Sequence, residues 1–184
     1  MTKNVAKRLI GEAACDRKIA RVTMVYQTFS YSLIPLAASD RLFLAVQEKD
    51  FAFDGFRISR FRDVADVRVG HDKFDEMLRD EGLFHALRVP EIDLESWQAV
   101  FEDLKAMGEY VIVEYETAVG ERDDFTIGKI DRVHRGCLYM YHFDAEGIWE
   151  DEPYRIPYTE VTSVTFGSRY VGVFAKYVSD APRA

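Results

Sequence analysis

The stretch Phe29 to Leu42, FSYSLIPLAASDRL, lies without a gap on Phe125 to Leu138, FTIGKIDRVHRGCL, 96 positions further along. Phe29 falls on Phe125, Ser30 on Thr126, Ile34 on Ile130 and Leu42 on Leu138. Beyond this stretch the offset becomes 97: Phe61 falls on Tyr158, Val64 on Val161 and Val67 on Val164. A repeat this long predicts two small domains of one architecture, not a solenoid of short units.

Working outward, residues 3–14 place Val5, Leu9 and Ala13 at helical spacing. Strands follow over 19–26, 29–36, 42–46, 51–58 and 64–69, all rich in β-branched and aromatic residues, with Asp54-Gly55 as a turn or bulge in the fourth. Asp72 is placed to cap a short helix that stops at Gly82. A second helix is predicted from Asp93 to Gly108, with Leu94, Trp97, Phe101 and Leu104 on one face and Ile92 stapled to Trp97. Six strands are then predicted: 110–116, 125–133, 137–143, 148–156, 161–166 and 170–177. The fold expected is mainly β with accessory helices, an α+β chain of tandem duplicated small five-stranded barrels, each preceded by a helix. The boundaries are 1–70 for the first helix-plus-barrel repeat, 71–90 for a helical connector and 91–184 for the second repeat.

Net charge is −8 and unevenly spread: residues 1–92 hold 15 Lys+Arg against 14 Asp+Glu, and residues 93–184 hold 9 against 18. The acidic second half disfavours broad contact with nucleic acid or an anionic membrane. No apolar run approaches the roughly 20 residues needed to cross a bilayer. Cys15 and Cys137 are far apart without metal-type spacing, and predict two free thiols in a reducing cytoplasm.

A helix followed by five bent antiparallel strands resembles the Sm-like or SH3-like small barrel. Gly128, Ile130, Val133, Cys137, Tyr139 and Met140 follow the glycine-and-apolar spacing of the first Sm motif. RNA-binding Sm proteins carry an Asp and an Asn in that motif to hold a base. The matching positions here are His134 and Leu138, or Ala38 and Leu42 in the first repeat. The Arg-Gly of the second Sm motif is missing from its place, and Arg135-Gly136 lies in another loop. Segment 50–67 and the second repeat also resemble bacterial proteins with tandem small barrels and no assigned activity.

Three constellations bear on function. Arg57, Arg60, Arg62 and Arg68 cluster, and the last three share strand parity; guanidinium pairs bidentately with phosphate or carboxylate, while Asp63 and Asp66 stand close enough to neutralise it. Tyr139, Tyr141 and Phe143 form an aromatic face, with Phe43 at the position matching Tyr139, suited to stacking on bases or on a partner's side chains. Leu138, Met140 and His142 take the core face, with His142 expected as a buried, hydrogen-bonded histidine. The acids Glu121, Asp123 and Asp124, and those around Trp149, read as solvated turns. Phosphate-loop, G-x-S-x-G, H-E-x-x-H and C-x-x-C motifs are absent. The expectation is a cytoplasmic, non-enzymatic protein-interaction module with no cofactor, metal or membrane, taking a protein partner or itself. RNA or single-stranded nucleic-acid binding through an Sm-like barrel is the alternative.

Overall fold

Ten antiparallel strands form one sheet in the computed structural model, which describes residues 1–70, 73–116 and 124–178. Asp72, Glu121 and Asp123, named above, lie outside the described residues. Helix α1 (Lys3–Asp16) precedes β1 (Ala20–Met24), β2 (Ser30–Ala38), β3 (Leu42–Lys49), β4 (Ala52–Arg60), a 3-10 turn (Phe61–Asp63) and β5 (Val64–Val69). Helices α2 (Lys73–Asp80) and α3 (Leu83–Ala86) follow, then α4 (Trp97–Met107). The second run is β6 (Tyr110–Tyr115), β7 (Asp124–Val133), β8 (Cys137–His142), β9 (Tyr154–Pro157), β10 (Ser163–Phe166) and α5 (Arg169–Tyr177).

The strands lie in the order β5-β1-β2-β3-β4-β10-β6-β7-β8-β9. Each run of five therefore has its fifth strand beside its first, and the runs meet where β4 pairs with β10, Ser59 opposite Ser163 and Phe56 opposite Phe166. The sheet is open, which corrects the expectation of closed barrels. The backbone groups of β4 and β10 are satisfied by each other, so neither run has to close on itself.

The pairings of β2 with β3 recur in β7 with β8 at an offset of 95. Leu33↔Gln47 becomes Gly128↔His142, Pro35↔Ala45 becomes Ile130↔Met140, and Ala38↔Phe43 becomes Val133↔Leu138. The bulges coincide too, at Leu36 and at Asp131. The gapless reading at 96 was thus one residue out, and a one-residue slip exchanges the faces of a strand. Phe43 corresponds to Leu138, not Tyr139, and is a fully buried core residue.

The two larger apolar cores pack α1 and α4 on the sheet. Phe43, Ala45, Val22, Leu33 and Phe61 pack on Ala6, Ile10 and Ala13 of α1. Val100, Phe101 and Leu104 of α4 pack on Val111, Leu138, Met140 and Val164, and also on Leu42, Leu44 and Ile58 of the first run. Helix α4 thus belongs to both runs. It starts later than predicted: Ser96 is its N-cap, accepting from the Ala99 N–H at 3.1 Å, while the Asp93 carboxylate accepts locally from Glu95 N–H. Gly128 lies where β7 presses on β8; a Cβ there would sit 1.9 Å from the Tyr141 carbonyl oxygen.

One predicted strand is shortened and another fails. Residues 148–156 pair only from Tyr154 onward, apart from a single bridge between Phe143 and Trp149. Residues 170–177 are helix α5. Ser168 caps it, accepting from Val171 N–H, and Val171, Phe174 and Val178 turn inward at helical spacing against Phe143 and Trp149.

Candidate functional site

Equivalent corners of the two runs approach each other. In the first, the Ser39 N–H donates to Leu42 O and the Phe61 N–H to Arg41 O, both at 2.9 Å. In the second, the His134 N–H donates to Cys137 O at 2.9 Å and the Tyr158 N–H to Gly136 O at 3.1 Å. These bonds tie the turn between the second and third strands to the residue just past the fourth. Arg60 joins the corners, its Nη1 donating to the Thr159 carbonyl at 3.4 Å.

Between the corners opens a cleft of about 530 Å³. Five cationic side chains line it: Lys3 from the start of α1, Arg41 from the β2–β3 turn, Arg60 and Arg62 from the end of β4 and the 3-10 turn, and Arg135 from the β7–β8 turn. The head of α4 contributes Ser96, Trp97 and Gln98. The Ser96 hydroxyl satisfies the Ala99 amide, which leaves the Trp97 and Gln98 amides of α4 without an intrahelical acceptor at the positive end of the helix dipole. Among the described residues the lining contains no His, Cys, Asp or Glu.

The cations are held to different degrees. Arg60 is mostly buried and bonded through Nε to Asp63. Arg62 is 63% exposed and 3.7 Å from the same carboxylate. Arg41, Arg135 and Lys3 are exposed and make no ion pair among the described residues. Asp40, next to Arg41 in the β2–β3 turn, bonds Lys7 at 2.5 Å, which holds its carboxyl below the usual range with help from Lys3 and Arg41. Tyr158 donates to the His134 carbonyl at 2.8 Å and stacks on Phe101, and burial pushes its phenol up.

Of the arginine cluster, the structure brings together Arg60 and Arg62 only. Arg68 is exposed on β5 and pairs with Asp66 at 3.0 Å. Arg57 points to the other face of β4 and is 3% exposed. Its Nη1 lies 2.6 Å from Glu114 and its Nη2 3.6 Å from Glu116, and its guanidinium sits 4.4 Å from the Tyr31 ring centroid. Burial works against its charge, but Glu114, Tyr31 and Glu116 outweigh that and raise its pKa. Burial, then Glu114, raises the Glu116 carboxyl. This cluster fastens β4 to β6 across β10.

The aromatic face is not one surface. Phe143 is buried against Trp149 and Phe174. Tyr139 is half-buried between Arg132 and His134, and Tyr141, also half-buried, takes the position of Val46. His142 is half-buried with its Nδ1 lacking a hydrogen bond, in place of the bonded core histidine expected. Sequence reasoning missed Lys3, Arg41 and Arg135, each an isolated cation; the signal was that Arg41 and Arg135 stand in the turns of the repeated stretch.

Comparison of the chain with protein-family models, with curated proteins and with solved structures returns no match. No helix among the described residues is long and apolar enough to cross a membrane. Among the same residues no group of three or more His, Cys, Asp or Glu is placed to hold a metal ion.

Proposed function

We propose that the protein is a binding module for single-stranded RNA and that the cleft holds the strand's phosphates. The observation that carries this reading is the convergence of five cations, with no carboxylate in the described lining, on one cleft of a chain of net charge −8. A concave patch of one sign concentrates an anion that the rest of the surface repels. Guanidinium forks match phosphate oxygens two at a time. We also read the two strand runs as Sm-like units fused edge to edge, since each has a helix first and the order 5-1-2-3-4. The cleft then uses the turn in which the resemblance places the RNA contact of Sm proteins. Without the Asp and Asn of that motif it grips phosphate and does not read bases.

Arg41→Ala with Arg135→Ala tests this, since both side chains are exposed and unpaired among the described residues. The double variant keeps its fold, binds a labelled single-stranded RNA at least tenfold more weakly, and flattens the log–log salt slope by about 1.4, at about 0.7 per cation on a single strand. Arg68→Ala, exposed and away from the cleft, leaves both unchanged. Equal loss in the two variants contradicts the reading.

A second reading, self-association, is favoured by the sheet edges. Among the described residues β9 and β5 are unpaired on their outer sides, and in strand order they stand where β4 and β10 stand inside the chain. A second copy joined β9 to β5 would repeat the internal junction. Light scattering that finds a monomer at working concentration removes this reading.

A further inference from the structure

We infer that the cleft takes a phosphate monoester, the phosphorylated end of a strand or of a nucleotide, in preference to the diester backbone of a strand running through. This rests on the proposed binding of RNA phosphate at the same site.

A backbone diester carries a single negative charge and offers two free oxygens. A terminal monoester carries roughly −1.5 to −2 at neutral pH and offers three strong acceptor oxygens. The cleft supplies Lys3, Arg41, Arg62 and Arg135 as exposed cations, Arg60 as a buttressed one, and the first amides of α4. Asp63 offsets part of this by bonding Arg60, and Asp40, beside Arg41 in the chain, offsets part, though Lys7 already bonds it. The remaining positive charge and donor number exceed what one diester satisfies.

The geometry agrees with the count. The cations come from four separate segments and surround one volume of about 530 Å³; they are not strung along a surface. Grooves that track a single strand run cations along it and interleave aromatic platforms on which successive bases stack. Here the aromatic rings at the cleft are engaged in the protein's own packing: Trp97 is 8% exposed, and Tyr158 stacks on Phe101 with its hydroxyl bonded to His134. A volume of this size suits one nucleotide-scale group, within the roughly 300–1,000 Å³ of small-ligand sites. Helix N-termini bind phosphate by the same open amides.

The test uses the full chain and three labelled RNA oligonucleotides of one sequence, carrying a 5′-phosphate, a 3′-phosphate or hydroxyls at both ends, measured by anisotropy at physiological salt. At least tenfold tighter binding of one phosphorylated oligonucleotide over the hydroxyl-ended one, with the preference lost in Arg41→Ala/Arg135→Ala, supports the inference. Competition by uridine monophosphate at the concentration at which the phosphorylated RNA competes also supports it, and identifies a free nucleotide as the source of the group. Equal binding of all three oligonucleotides, with the affinity still lost in the double variant, overturns the monoester preference and leaves the RNA reading intact. No binding of any oligonucleotide together with no competition by the nucleotide overturns both.

Discussion

Replacing Arg57 by Met separates what holds the two strand runs together from what the cleft does. Arg57 is 3% exposed and is the counter-charge to two carboxylates of the second run, 2.6 Å from Glu114 and 3.6 Å from Glu116. Met fills much of the same volume but leaves both carboxylates facing each other without a cation, Glu114 holding the Ser163 hydroxyl and Glu116 the Gln27 amide and the Thr162 hydroxyl. Breaking a buried pair from one side costs about 3–5 kcal/mol, because the remaining charge is left uncompensated. The cost depends on pH. Burial and Glu114 already raise the Glu116 carboxyl in the folded protein. A carboxyl raised on folding binds more protons folded than unfolded, so stability is greatest below the ordinary glutamate range and falls as pH rises through the raised folded value. Arg57 is the cation that lowers the Glu116 carboxyl against that trend, so removing it raises Glu116 further and extends the fall. Urea unfolding at pH 5 and pH 8 should therefore show Arg57→Met losing about 3–5 kcal/mol at pH 8 and distinctly less at pH 5. Adding Glu114→Gln and Glu116→Gln should recover most of the loss, since no charge is then orphaned. A loss under about 1 kcal/mol at pH 8, or the same loss at both pH values, would refute the reasoning.

Two further changes probe the sheet and the core. Gly128→Ala places a methyl group on the Tyr141 carbonyl and should cost about 1–3 kcal/mol in urea melts, whereas Gly11→Ala, in open space within α1, should gain about 0.4–1 kcal/mol. Phe101→Ala, fully buried between Trp97 and Tyr158, should cost about 3–5 kcal/mol by calorimetry and loosen the cleft wall that Tyr158 forms.

Much of the architecture was legible because it rests on local chemistry. The run of a helix and then β-branched strands, twice over, comes from periodicity, and the offset of 97 linking Phe61 to Tyr158 agrees with the registers just before them, Phe43↔Ser59 against Leu138↔Ile156. The offset of 96 misled because it matched Leu42 to Leu138 by identity. Leu42 packs in the core of the other run, a long-range placement that a pairwise match does not contain. YVGVFAKY reads as a strand by composition, and the Ser168 cap together with the packing of Val171 and Phe174 makes it a helix. The open sheet was illegible for a similar reason: the β4–β10 pairing joins residues more than 100 positions apart. Half the arginine cluster was in the right place, and Arg57, which looked the same in sequence, is a buried fastening. Lys3, Arg41 and Arg135 become a site only when the two corners meet.

The central claim is that an acidic chain gathers its cations into one phosphate-holding cleft. Its most direct test is anisotropy of a labelled single-stranded RNA with the nuclease-treated protein over a range of salt. The account predicts micromolar binding at low salt, with a log–log slope of about −2 to −3.5, as expected for three to five cations on a single strand. No binding at low salt, or binding indifferent to salt, would contradict it.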